Sequence, residues 1–147
     1  MDELLATIAL SRLCNIDNTK KKKIVETVDS VAGLFEGKSK VINEILRASL
    51  RSFRSWKEIE RELKILDSMG ISVITIKDKA YPELLKDIPD PPIVIYKKGP
   101  LQINPKTIAV VGSRKATYEG MNLAEKIGNT LSSVGITVAS GLARGID

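Results

Sequence analysis

The sequence predicts an α/β protein in two parts, an all-helical stretch over residues 1–70 and a parallel-sheet stretch over 71–147. Three observations carry this. Apolar residues recur at helical spacing as far as Gly70, and at Ile71 the pattern changes to a β-branched run. From Thr107 onward, two further β-branched runs enclose one amphipathic helix, the pattern of a βαβ unit. Each of those two runs ends in a turn that combines glycine with arginine.

In the helical part, Leu4, Leu5, Ile8, Ala9 and Leu13 predict a first helix near 2–13, closed by the turn Cys14-Asn15-Ile16-Asp17-Asn18. Ile24, Val28, Val31 and Leu34 form the stripe of a second helix near 20–34, which Gly37 breaks. Val41, Ile42, Ile45, Leu46 and Leu50 predict a third near 40–50. The fourth starts at Ser55-Trp56-Lys57-Glu58, a capping-box sequence, carries Ile59, Leu63 and Leu66, and ends at Gly70, where a left-handed residue belongs. Lys20–Lys23 open the second helix. Cations there oppose the helix dipole, so the run reads either as a phosphate contact or as a solvated helix start.

Ile71–Ile76 predicts a strand, Lys77–Lys79 a turn, and Tyr81–Leu85 a helical turn with Pro82 at its first position. Pro89, Pro91 and Pro92 exclude helix and inner strand. Ile93–Tyr96 predicts another strand, so residues 71–100 read as a connecting segment. Thr107–Val111 is apolar throughout, as expected of a parallel strand buried on both faces. A helix from about Tyr118 to Ser132 follows, Gly135 ends it, and Ile136–Ala139 returns as the next parallel strand by a right-handed crossover.

Composition removes several functions. Apolar residues make up 43% of the chain, as in a folded soluble protein. The apolar runs are too short to span a membrane, and the acidic start MDELLATIAL does not resemble an export signal, so a cytoplasmic location is expected. One cysteine and no histidine rule out an internal disulfide and offer no metal cluster. Without histidine there is no Ser-His-Asp or Cys-His set, and Glu119, Glu125 and Asp147 do not form a catalytic pair. Neither a cofactor nor an enzymatic activity is expected. The net charge of +5, from 23 Lys+Arg against 18 Asp+Glu, permits an anionic partner.

The two turns suit such a partner. A turn that leads from a parallel strand to a helix start exposes main-chain N–H groups to an anion. Gly112 has no Cβ to keep a phosphate away, Ser113 adds a hydroxyl, and Arg114 adds a planar fork for bidentate contact. Lys115 stands beside them. Ser140, Gly141, Arg144 and Gly145 repeat the chemistry one strand over, and Tyr118 offers a face on which a base could stack. Neither turn is G-x-G-x-x-G or a P-loop.

Four motifs follow one another in order: Asp78, Tyr81 and Pro82; Ile88-Pro89-Asp90-Pro91-Pro92 with Tyr96 and Gly99; Val111-Gly112-Ser113-Arg114 with Tyr118 and Gly120; and Ser140-Gly141-Leu142-Ala143-Arg144-Gly145-Ile146-Asp147. Together they closely resemble the DNA-processing protein A (DprA/Smf) family over about residues 70–147. Residues 1–70 are similar to its helical N-terminal domain in length and pattern. The resemblance implies a SAM/helix-hairpin-helix-like helical domain, then an extended Rossmann-like domain. It implies single-stranded DNA as partner in natural transformation, loading of a RecA-type recombinase, and a homodimer of the intact protein. By motif position the DNA contacts are Gly112, Ser113, Arg114, Ser140, Gly141 and Arg144. Cys14-Asn15-Ile16-Asp17 lacks the glycine of a helix-hairpin-helix turn, so duplex contact there is not expected. The family continues past Gly145-Ile146-Asp147, so the chain is expected to be an N-terminal fragment with a truncated sheet. Nucleotide-processing hydrolases of the lysine-decarboxylase-like, phosphoribohydrolase type also use a Gly-Ser-Arg turn. Their catalytic glutamate would lie beyond Asp147.

Overall fold

A computed structural model describes residues 1–38, 44–100 and 106–147. Helices and small sheets are mixed, as in an α/β protein, and the chain divides into two compact units, Met1–Leu101 and Gln102–Asp147. No helix among the described residues is long and apolar enough to cross a membrane.

In the first unit, helix α1 (Glu3–Ser11) is the centre of the core, and Ala6, Ile8, Ala9 and Leu10 are all buried. Asp2 caps it by accepting from the Leu5 N–H at 3.1 Å. The stretch expected as one helix near 20–34 is two, α2 (Asn18–Thr27) and α3 (Val31–Phe35). The break lies at Val28 and Ser30, both extended. Its cause is remote in sequence. The Glu3 carboxylate accepts from the Val31 N–H at 2.6 Å, the Ala32 N–H at 3.1 Å and the Ser30 hydroxyl at 2.8 Å, satisfying donors that a continuous helix would have used itself. Ser30 accepts from the Gly33 N–H, completing the cap.

Burial pushes the Glu3 pKa up, but those three hydrogen bonds and nearby Lys77 outweigh it, leaving it below the usual value of 4.5. The depressed carboxylate adds stability above that value, and the contribution is lost as pH falls through the folded pKa. Glu3→Gln is expected to lower unfolding stability by about 1 kcal/mol at neutral pH, measured by urea titration. The difference from wild type should shrink on acidification.

Helix α4 is described over Glu44–Ser52. The third predicted helix thus continues past residue 50, while Val41, Ile42 and the side chain of Ile45 lie outside the described residues. Leu46 and Leu50 face the core. Helix α5 (Trp56–Ser68) starts where expected but without the capping box. Ser55 has φ −79° and ψ 31°, not the extended conformation that would aim its hydroxyl at the first turn. Trp56 instead packs edge-on against Phe35 and Phe53, each at 4.9 Å between ring centroids. Gly70, at φ +66°, ends the helix in the left-handed conformation.

Strands β1 (Ile71–Thr75) and β2 (Val94–Lys98) pair antiparallel, from Ile71 opposite Lys98 to Thr75 opposite Val94. They pack on α5 and α1, so Ile74, Ile76, Ile93 and Val94 join the helical core. Between them, α6 (Glu83–Lys86) has Pro82 as its N-cap and not its first residue, since Pro82 is extended at ψ 122°. Tyr81 is buried and donates its hydroxyl to the Pro92 carbonyl at 2.6 Å, which ties the Tyr-Pro motif to the proline-rich one.

The lysine run at the start of α2 is neither a free patch nor simply solvated. Lys20 pairs with Asp17 at 2.7 Å. Lys21 is 5% exposed and donates to the Ser11 carbonyl at 2.7 Å. Lys22 donates to the Lys86 carbonyl at 2.7 Å. Two of the four cations, Lys21 and Lys22, therefore fasten α2 to its surroundings, and Lys20 pairs with the helix's own N-cap.

In the second unit, β3 (Thr107–Ala109) and β4 (Thr137–Ala139) pair in parallel with Ile108 opposite Val138, and α7 (Tyr118–Ser133) joins them. Thr117 caps α7 at the Gly120 N–H. Gly135, at φ +75°, closes it in a Schellman motif, with the Gly135 N–H on the Ser132 carbonyl and the Ile136 N–H on that of Leu131. The strands are not buried on both faces: Ile108 is 44% exposed and Val138 37%. Two strands with one crossover helix have too little apolar cover for that.

Candidate nucleic-acid interface

Both predicted turns leave the same ends of β3 and β4, since parallel strands put their C-terminal ends on one edge. The ladder runs one bond past the strands, from the Val110 N–H to the Ala139 carbonyl at 2.9 Å, and then the two loops meet.

Gly145 sets how closely they meet. At φ +101° it has a backbone conformation that a side chain disfavours. A Cβ there would also overlap the Ser113 carbonyl oxygen. The next residue, Ile146, donates its N–H to that oxygen at 3.3 Å. A Cβ on Gly112 would lie 2.7 Å from the Ile146 Cβ, and the Ile146 side chain also reaches Gly120 in the first turn of α7. Asp147 adds a polar link, its Oδ1 accepting from the Gly112 N–H at 2.9 Å. Its Oδ2 lies 2.9 Å from where a Cβ on Gly141 would stand.

The absent Cβ of Gly112, read from the sequence as room for a phosphate, is therefore filled by Ile146, and the Gly112 N–H is engaged by Asp147. Ser140 is likewise committed, donating to the Asp147 main-chain oxygen at 3.0 Å and accepting from the Leu142 N–H at 3.2 Å. Ser113 accepts from the Lys115 N–H at 3.1 Å, which folds the first loop over and leaves its own hydroxyl proton free to donate. Ile146 and Asp147 stand in the fourth motif, but the sequence did not mark them as site residues. Their spacing from Gly112 is too long for any local pattern, and only the paired glycines hinted at loops in contact.

The remaining candidates are available. Arg114, Lys115, Arg144 and Tyr118 are exposed, and no hydrogen bond or ion pair among the described residues engages the three cationic side chains. The main-chain N–H groups of Ser113, Arg114, Gly141 and Arg144 also lack a partner among the described residues. Tyr118, 72% exposed, is the first residue of α7 and follows directly on the first loop. Leu142, in the left-handed region at φ +52° and 91% exposed, projects from the tip of the second. The chemistry is that of anion recognition, by two arginine forks and a lysine on loops locked together by glycines.

Fold and site thus define an α/β protein with paired cationic loops at the ends of adjacent parallel strands. The chain belongs to the DNA recombination-mediator protein A family, whose model matches residues 72–147. It is 33% identical over 118 residues to the DNA processing protein DprA of Bacillus subtilis, covering 74% of this chain and 40% of that protein. It is 29% identical over 148 residues to the DNA processing protein DprA of Streptococcus pneumoniae, covering 92% of this chain and 52% of that protein. Protein Smf of Escherichia coli is 35% identical over 92 residues, 62% of this chain and 25% of that protein. The chain spans about half or less of the length of these relatives.

Proposed function

We propose that this chain carries the strand-binding loops of a DNA-processing protein that acts in recombination, and that the ligand of the loops is the backbone of single-stranded DNA. The observation that supports this most is the pair of unengaged arginines, Arg114 and Arg144, on two loops that Gly145 and Ser113 hold in contact. Each guanidinium can take a phosphate bidentately, with Lys115 and the Ser113 hydroxyl beside the first. The face of Tyr118 suits a stacked base without reading its identity. Phosphate contacts position a strand and carry no sequence information, so the binding is sequence-independent.

In this reading the unit is the first part of an extended Rossmann-like sheet, preceded by a SAM/helix-hairpin-helix-like helical domain. The loops bind and orient and carry out no chemical step. The intact protein acts in the cytoplasm as a homodimer, shields incoming single strands during transformation, and hands them to a RecA-type recombinase. Arg114→Ala is expected to weaken binding of oligo-dT and of a mixed-sequence single strand by a similar factor, about fivefold, measured by fluorescence anisotropy. Unchanged affinity in both Arg114→Ala and Arg144→Ala variants would overturn the reading.

A further inference from the structure

Two extremes of the chain coincide at Leu142. Among the described residues it is the one non-glycine residue with positive φ, at +52°, and it is the most exposed of the large apolar side chains. Each feature costs the fold something. In the left-handed region a Cβ crowds the following carbonyl oxygen, and glycine or asparagine adopts that region far more readily. A leucine left in water forgoes the burial that would stabilise it. A single exposed leucine is ordinary, but a strained one on the loop that carries a binding arginine points to a use.

The strain is held by its surroundings. The Leu142 N–H donates to the Ser140 hydroxyl at 3.2 Å, and that hydroxyl donates in turn to the Asp147 main-chain oxygen at 3.0 Å. Asp147 is bonded to the Gly112 N–H, and Ile146 to the Ser113 carbonyl, so the tip that presents Leu142 is fastened at its base to the first loop. A tip fixed in this way meets a ligand without first having to be ordered. Arg144 stands two residues on, at most about 7 Å of chain away. A strand with a phosphate on the Arg144 guanidinium therefore has its bases beside the tip. The phosphate contacts themselves cannot tell one strand from two, because a duplex presents the same groups. What a single strand offers and a duplex hides is the face of an unstacked base. That face is flat and apolar, and aliphatic side chains such as leucine pack against it without reading base identity.

We propose that Leu142 selects single-stranded over duplex nucleic acid, by laying its side chain against the face of an unstacked base in the strand that Arg114 and Arg144 hold. This rests on the loops being the strand site and adds the source of their selectivity, with Tyr118 as the second base contact. The arginines supply attraction, and the strained leucine supplies discrimination.

The test compares the full chain with Leu142→Asn, Leu142→Met and the Arg114→Ala/Arg144→Ala variant. Asparagine tolerates the backbone angle and removes the apolar contact, whereas methionine keeps an apolar side chain of similar volume. Labelled oligo-dT, an abasic strand of the same length and a mixed-sequence duplex are titrated by anisotropy against salt. Leu142→Asn is expected to weaken oligo-dT binding by about fivefold and to lower the preference for single strand over duplex by the same factor. Its affinity for the abasic strand and its log–log salt slope should match wild type, since no phosphate contact is lost. Its thermal midpoint should equal or exceed that of wild type, because the strain is relieved. Leu142→Met should bind oligo-dT as wild type does, and the arginine variant should weaken oligo-dT and the abasic strand alike. The proposal fails if Leu142→Asn keeps the wild-type preference for single strand, or if it weakens the abasic strand as much as oligo-dT. It also fails if the thermal midpoint of Leu142→Asn falls, which would mark the side chain as packed against protein. A weakened arginine variant beside an unchanged Leu142→Asn overturns this proposal alone, and an arginine variant that binds as wild type overturns the loop reading with it.

Discussion

Gly145→Ala is expected to separate the two loops and to reduce single-strand affinity by at least about tenfold, with little effect on the helical unit. The added methyl would have to occupy the space of the Ser113 carbonyl oxygen, at a backbone angle of φ +101° that alanine resists. Strain of this kind amounts to about 1–3 kcal/mol. It is relieved only by moving the second loop away from the first, which also breaks the Ile146 hydrogen bond to Ser113 and the Asp147 bond to the Gly112 N–H. Anisotropy with oligo-dT measures the loss. Most of the helical circular dichroism should remain, because α1–α6 lie outside residues 106–147 and the helical core includes none of those residues. Gly112→Val should behave similarly, since the position of its Cβ is already filled by Ile146.

The second large effect is expected from Arg114→Ala combined with Arg144→Ala. Both side chains are exposed and unengaged among the described residues, so their removal leaves no buried partner unsatisfied and the fold should be unaffected. Each charged contact to phosphate at such a site is worth about 1 kcal/mol or more, so the pair should lower affinity by roughly thirtyfold. Stopped-flow anisotropy with excess unlabelled competitor would show whether the loss lies in dissociation, as it does for most interface substitutions.

Much of this architecture was legible because its causes are local. The β-branched run at Ile71, the helix from Tyr118 and its end at Gly135 follow from side-chain period and from one residue able to turn left-handed. The cationic ends of the two strands were legible for the same reason. What was not legible depends on partners far away in sequence. The break between α2 and α3 is made by Glu3, which no window around Ser30 contains. The capping-box sequence at Ser55 gave way to the packing of Trp56 between two phenylalanines. Lys21 and Lys22 resembled a free basic run until their carbonyl acceptors came from Ser11 and Lys86. The loops show the same division. Arg114 and Arg144 could be chosen from sequence, whereas Ile146 filling the space above Gly112 required the fold. That contact changes the reason for the glycine from ligand access to loop packing.

The central claim is that the loops hold a strand through its phosphates. Its most direct test is the dependence of oligo-dT affinity on salt, for the wild-type chain and for the Arg114→Ala/Arg144→Ala variant. Loss of two phosphate contacts on a single strand should flatten the log–log slope by about 1.4. A variant that binds more weakly with the wild-type slope, or one that binds as wild type at every salt concentration, would contradict it.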